Sequence, residues 1–217
     1  MHGGTGCEKE EVSMKKKIWD LYAPVYQRAM KADQKIYEFM YRWIPEQIRG
    51  KEVLEIASGP GVLAKRVAPA AKTMVATDYS DGMIAEASKG SCPENLRFEK
   101  ADAIALPYAD SSFDAVVIAN ALHIVPDPEK VLNEISRVLR PDGLLIAPNF
   151  VEHQETLISR AWSGILKAAG IRFAHQWSAR EYLDFLEKNG WQVTFSREIE
   201  ARITLVYAEC IRKTTRE

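Results

Sequence analysis

Nowhere in the 217 residues do about 20 apolar side chains run together, the length a membrane-crossing helix needs. The best stretch, Ala115 to Val125, is interrupted by Asn120 and His123, so no membrane span is expected. Cysteine is scarce too. Cys7, Cys92 and Cys210 are odd in number, far apart and without metal-type spacing, which argues for reduced thiols rather than a disulfide framework or a zinc site. Excess charge of one sign is missing: 29 Lys and Arg face 30 Asp and Glu, leaving no broad nucleic-acid footprint. No secretory leader is expected either, since Glu8, Glu10 and Glu11 precede any apolar run, and a cytoplasmic location is expected. There is no internal repeat and no low-complexity segment.

What the chain does contain is a regular alternation of strand and helix patterns. Residues 1–11 read as a disordered tail. Residues 12–49 read as a helical cover. Its first helix carries Ile18, Trp19, Tyr22, Val25 and Tyr26 and breaks at Pro24; its second carries Ile36, Met40, Trp43 and Ile44 and closes at Pro45. Lys15, Lys16 and Lys17 form a solvated helix end, with contact to an anionic lipid surface the competing reading.

Residues 50–217 read as the main domain. Strands are expected at Val53–Ala57, Thr73–Thr77, Leu96–Lys100, Phe113–Ala119 and Leu144–Pro148, with helices between them. Asp127-Pro128 starts a helix burying Val131, Leu132, Ile135, Val138 and Leu139, and Arg140-Pro141-Asp142-Gly143 stops it. A helical insertion at about 152–178 follows. Ser178-Ala179-Arg180-Glu181 is then a capping box, and two final strands lie too close together for a crossover helix. The fold class is α/β: a Rossmann-like, seven-stranded mixed sheet of five parallel strands plus an antiparallel C-terminal hairpin, with helices on both faces.

Chemistry concentrates at the strand ends. After the first strand, Gly59 and Gly61 permit a tight turn and close approach of a ligand to bare backbone. Glu55 sits inside that strand, Asp78 ends the second and Asp102 follows the third. In an open α/β sheet these acids line one crevice. An acid at Glu55 accepts from a cationic or hydroxyl-bearing group and repels a pyrophosphate. Asp78 suits a pair of ribose hydroxyls, Asp102 and Ala103 an exocyclic amine and base edge, and Met83 one face of a ring. Gly59-x-Gly61-x-x-Ala64 also satisfies the dinucleotide fingerprint, so a nicotinamide-dependent oxidoreductase competes at this point.

These stretches resemble the class I S-adenosylmethionine-dependent methyltransferases. Val53-Leu54-Glu55-Ile56-Ala57-Ser58-Gly59-Pro60-Gly61 is similar to their first motif, which usually carries Gly and Cys where Ala57 and Ser58 stand. Asp78-Tyr79-Ser80-Asp81-Gly82-Met83 is similar to the second, and Ala101-Asp102-Ala103 with Leu106 to Asp114 to the third. Arg137 to Leu145 resembles the entry into their fifth strand. The nearest branch is the small-molecule one, including ubiquinone/menaquinone-biosynthesis and phospholipid N-methyltransferases, which Trp19-Asp20-x-x-Ala23-Pro24-x-Tyr26 also resembles.

The resemblance implies S-adenosylmethionine as cofactor, S-adenosylhomocysteine as product and no metal. It places Glu55 by the methionine amino group, Ala57, Ser58, Gly59 and Gly61 around the turn, Asp78 and Tyr79 at the ribose, and Met83, Asp102 and Ala103 at the adenine. Asn120 and Ala121 line the sulfonium side. Tyr22 and Tyr26 are candidates to close over the cofactor and hydrogen-bond its carboxylate, against packing of the cover, with Tyr22 also a candidate for the reaction itself. The partner is a small-molecule methyl acceptor, with no nucleic acid expected and a monomer or homodimer as the assembly.

Methyl transfer from a sulfonium mainly needs alignment and exclusion of water, and a base only when the acceptor arrives protonated. His123 is the candidate base, against a packing role in its loop. Glu152, His153 and His175 are more simply surface or packing residues. Arg160, Trp162, Phe173 and Trp177 make the insertion aromatic enough to enclose an organic acceptor. The acceptor atom stays open. So do the oxidoreductase reading and that of a non-catalytic partner keeping the same fold.

Overall fold

The structure is a computed structural model that describes residues 34–151, 175–201 and 203–213. The expected tail, the helix carrying Tyr22 and Tyr26, the basic run at Lys15, and Glu152, His153, Arg160, Trp162 and Phe173 of the insertion lie outside the described residues.

The element order is α1 (Gln34–Ile48), β1 (Glu52–Ile56), α2 (Val62–Val67) with a short 3-10 turn (Ala68–Ala70), β2 (Thr73–Asp78), α3 (Asp81–Ala87), β3 (Leu96–Lys100), β4 (Phe113–Ile118) and α4 (Pro128–Val138). It continues with β5 (Leu139–Ile146), β6 (Asn149–Val151), α5 (Ala179–Lys188), β7 (Trp191–Ile199) and β8 (Thr204–Arg212). The sheet order is β3-β2-β1-β4-β5-β8-β6, with β7 on the other edge of β8. The first five strands pair in parallel, and β8 is antiparallel to β5, β6 and β7. The order therefore switches at β1, whose neighbours are β2 on one side and β4 on the other.

Eight strands stand where seven were expected. β5 and β6 pair with β8 in one continuous register, so they are a single line broken at Ala147-Pro148. A proline cannot donate to the ladder, which interrupts the strand there. Two other expectations are corrected. α1 runs through Pro45 to Ile48 because Ile36, Met40, Ile44 and Ile48 form one wholly buried stripe spanning the proline. That burial outweighs the one backbone hydrogen bond Pro45 lacks. Arg140-Pro141-Asp142-Gly143 does not precede the fifth strand but bulges out of it, where the register against β4 jumps between Phe113 and Ala115. Arg140 uses that bulge to reach Glu52 on β1 and Asp114 on β4, tying three strands at the sheet edge remote from the glycine turn.

Alternation along β1 divides the core. Leu54 and Ile56 pack with α4 and α5, whereas Val53 belongs to the cluster containing α1 and α2. Glu55, two residues from Val53, therefore points to the α1 side of the sheet. Helix starts follow the expected chemistry: Ser80 accepts from Met83 N–H at 3.1 Å, Asp127 from Lys130 N–H at 3.0 Å, and Ser178 with Glu181 completes the capping box.

The β3–β4 connection is pinned from α4. Arg137 donates to the carbonyls of Leu106 and Tyr108 at 2.9 and 2.7 Å and pairs with Glu134 and Asp110; Glu134 in turn accepts the Leu106 N–H at 2.8 Å. This clamp fixes the stretch just beyond Asp102.

Candidate active site

The turn after β1 is held by its own backbone and by β2. Ser58 N–H donates to the Thr77 carbonyl at 2.9 Å, Gly61 N–H to the Ser58 carbonyl at 3.0 Å, and the Thr77 hydroxyl to the Glu55 carbonyl at 3.0 Å. Asp78 closes the arrangement, accepting from Gly59 N–H at 2.8 Å and Ser80 N–H at 2.9 Å. One carboxylate thus locks two of the expected ligand-binding segments together.

Ala57, Gly59 and Gly61 all have positive φ, at 55°, 54° and 70°. For Ala57 the left-handed conformation costs about 1–2 kcal/mol relative to glycine. Strain of this kind persists only where the surroundings over-determine the backbone. Gly61 adds a packing duty to the tight turn expected of it. A Cβ there would lie 2.5 Å from the Phe98 ring and 3.1 Å from Ala87 Cβ, so Gly61 packs the turn against β3 and α3 and is absent from the cavity lining. Gly61→Ala is expected to lower stability by about 2 kcal/mol through the left-handed φ and the displaced ring. Phe98→Leu in the same protein should restore part of the loss in a denaturant titration; no restoration would show that the ring contact contributes nothing.

A cavity of about 360 Å³ opens beyond the C-terminal ends of β1 to β4. It brings together Glu55, Ala57, Ser58, Gly59, Asp78, Tyr79, Met83, Asp102, Ala103, Asn120 and Ala121, all of them expected site residues. Glu55 is 2 % exposed, and burial followed by the neighbouring Asp78 charge pushes its carboxyl up to about 8. Glu55 Oε2, Ser58 Oγ and Asn120 Oδ1 are buried without a hydrogen-bond partner among the described residues. Unpartnered buried polar atoms are costly, and three of them at one cavity mark where a polar ligand is due. Asp102 lies at the open rim, with Oδ1 taking the Ile104 N–H at 3.1 Å.

His123 is not part of the lining. It is buried, its Nδ1–H donates to Asn149 Oδ1 at 2.8 Å, and burial, with a further push from His175, holds its pKa down to about 4 against the raising effect of the Asn149 bond. The ring is therefore neutral at physiological pH. His175 stacks on Trp177 at 5.2 Å, outside the lining also.

Several lining residues were not among the expected site residues. Tyr37 comes from α1, Ile104 from the β3–β4 connection, and Ile124, Val125, Pro126 and Asp127 from the loop after β4. With Asp127 the lining holds four carboxylates, and among the described residues it holds no lysine, arginine or histidine.

Residues 54–147 match the family described as a methyltransferase domain. Over about half its length the chain resembles class I S-adenosylmethionine-dependent methyltransferases of the ubiquinone/menaquinone type. The demethylmenaquinone methyltransferase of Clavibacter sepedonicus is 34% identical over 122 residues, covering 56% of this chain and 50% of the relative. The chain spans about half the length of the curated relatives it matches.

Solved structures extend the likeness in fold beyond the methyltransferase domain. A chain of the complex between the Haloferax volcanii Trm112 methyltransferase activator and a methyltransferase superposes with a TM-score of 0.77 at 19% identity, covering 93% of this chain and 99% of that one. A second, from the DhpI–SAH complex, gives 0.69 at 24%, covering 91% and 95%. No helix among the described residues is long and apolar enough to cross a membrane. No group of three or more His, Cys, Asp or Glu among them is arranged to hold a metal ion.

Proposed function

We propose that this chain is an enzyme that transfers the methyl group of S-adenosylmethionine to a small organic acceptor. The observation that carries the proposal is the acidity of the cavity: four carboxyl side chains and no basic side chain among the described lining residues. A pyrophosphate would meet Asp78, Asp102 and Asp127, with the protonated Glu55 behind them and no base among the described lining residues to neutralise it, whereas a ligand with a sulfonium and an ammonium is cationic where the acids are. The orphaned Glu55 Oε2 and Ser58 Oγ fit the amino-acid end of such a ligand.

When bound, S-adenosylmethionine supplies a methyl group on an already activated sulfur leaving group. The protein's share is placement. Glu55 receives the ammonium, and Asp78, already oriented by two backbone N–H groups, takes ribose hydroxyls with Tyr79 beside it. Met83 and Ala103 pack the adenine while Asp102 accepts from its amine, and Asn120 and Ala121 border the sulfur. Tyr22 and Tyr26 are proposed to close the cover. His123 is proposed to hold its loop through Asn149 rather than to take a proton from the acceptor, in keeping with its burial away from the lining. No metal is invoked.

Quinols are the acceptor class to assay first, since the Clavibacter relative is a demethylmenaquinone methyltransferase. A ligand at 100 times its dissociation constant adds about 2.7 kcal/mol of stability. S-adenosylhomocysteine at that excess is therefore expected to raise the melting temperature by several degrees, with no shift from NAD or NADP. Methyl transfer to at least one member of a panel of quinols, phenols, amines and thiols completes the expectation. Stabilisation by NADP instead, or ligand binding with no turnover on any acceptor class, would contradict it.

A further inference from the structure

We infer that Arg137, braced by Glu134, is a positioning residue for base recognition: its guanidinium fixes the turn Asp102 to Ala105 so that the cavity prefers a purine bearing an exocyclic amine. The inference rests on the S-adenosylmethionine reading above, which seats the adenine amine at Asp102. Neither Arg137 nor Glu134 lines the cavity. Both act on it through the connection between β3 and β4.

All five N–H donors of the guanidinium are engaged. Nε and Nη2 fork onto the two Glu134 oxygens at 2.8 Å each, and the remaining donors go to the Leu106 and Tyr108 carbonyls and to Asp110. Glu134 Oε2 also accepts the Leu106 N–H, so both backbone polar groups of Leu106 are held from α4. Leu106 directly follows the turn in question. Within that turn Ala105 N–H donates to the Asp102 carbonyl at 3.1 Å, and Ile104 N–H to Asp102 Oδ1 at 3.1 Å. On its other side Ala101 N–H donates to the Asp78 carbonyl at 3.1 Å. A four-residue turn closed on itself and fixed at both flanks leaves its carboxylate few positions. Because Ile104 occupies Oδ1, Oδ2 is the oxygen available to an amine. The same helix works at its other end too: Asp127, its N-cap, and Val131 line the cavity, so α4 sets two walls at once. A lysine is a point charge with three donors and cannot span these partners. Tyr108 supplies a separate anchor, its hydroxyl donating to Glu99 Oε2 at 2.7 Å.

Calorimetric titration of the full chain with S-adenosylhomocysteine and S-inosylhomocysteine, in which an oxo group replaces the amine, reads base recognition as a ratio of affinities. Wild type is expected to favour the amine by about tenfold, because the oxo group sets an oxygen against Asp102. Arg137→Lys should lower that ratio by about three- to tenfold through weaker S-adenosylhomocysteine binding, with S-inosylhomocysteine changed by less than about twofold. Glu134→Ala keeps a strong helix former in α4 and should lower the ratio by about threefold even if the lysine variant folds poorly. Tyr108→Phe removes only the Glu99 bond and should leave the ratio within about twofold of wild type. A general loosening of the fold would weaken both ligands alike. Equal losses for both ligands in Arg137→Lys and Glu134→Ala, an unchanged ratio in both, or a matching fall in Tyr108→Phe would each overturn the inference. Failure of S-adenosylhomocysteine to bind wild type, or a wild type indifferent to the amine, would instead overturn the adenine placement on which it stands.

Discussion

Asp78→Ala is expected to weaken S-adenosylhomocysteine binding by about ten- to a hundredfold. Charge-assisted hydrogen bonds contribute roughly 1.5–3 kcal/mol each, and a tenfold change in affinity corresponds to about 1.4 kcal/mol. The structure adds a second cause. Asp78 accepts the Gly59 and Ser80 N–H groups, so its loss also releases the turn after β1 from the end of β2. Asp78→Asn separates the two effects only in part, because its carbonyl oxygen keeps one of the two backbone partners while its NH2 group faces the other N–H and the charge is gone. The asparagine variant should melt between wild type and Asp78→Ala and still bind at least about tenfold more weakly than wild type. Calorimetry showing unchanged affinity in Asp78→Ala would remove Asp78 from the site.

Glu55 gives the second large effect, and its sign depends on pH. Its carboxyl is raised from 4.5 to about 8 by burial first and by Asp78 second, so ligand-free protein carries a proton there at neutral pH. An ammonium arriving at Oε2 needs the carboxylate, and the proton must leave as it binds. Affinity for S-adenosylhomocysteine should rise between about pH 6 and pH 8, by at most about tenfold per pH unit, and level off above it. Titrations in buffers of different ionisation enthalpy should show up to about one proton released in wild type at pH 7, and none from this site in Glu55→Gln. The same shift makes the ligand-free fold pH-sensitive. The folded state holds this proton more tightly than the unfolded chain, so the stability it contributes is complete below about pH 4.5 and is lost as pH rises through about 8. Glu55→Gln should flatten that slope in denaturant titrations. A wild-type affinity that does not vary over this range would mean that Glu55 does not meet the ligand's cation.

Much of this architecture was legible in the order of residues. Near-continuous apolar runs such as Phe113–Ile118 mark strands buried on both faces, and Asp127-Pro128 and Ser178 with Glu181 mark helix starts through chemistry confined to one turn. The acids at three strand ends were legible for the same reason: a parallel sheet sends its strand ends to one edge, so Glu55, Asp78 and Asp102 must converge. What stayed hidden depends on contacts across the chain. Pro45 reads as a helix stop until the buried stripe on both sides of it is seen. Arg140 to Gly143 reads as a turn until Arg140 is seen paired with Glu52 and Asp114. Gly61 and Gly59 are alike in sequence. Only Phe98, from a strand far along the chain, makes one a packing residue while the other faces the cavity. Tyr37 carries no signal beyond its place in an amphipathic helix, and its position is set by the side of β1 that α1 covers.

The fold alone does not name a reaction, because shared architecture hosts unrelated chemistries. The specific content lies in the pairing of an acidic cavity with orphaned polar atoms at its inner end. A crystal structure of this chain soaked with S-adenosylhomocysteine tests that pairing directly. The expected result is the ligand's amino group within hydrogen-bonding distance of Glu55 Oε2 and its ribose hydroxyls on Asp78. A ligand bound elsewhere, or seated with its adenine over Glu55 and its amino-acid end at Asp102, would contradict it.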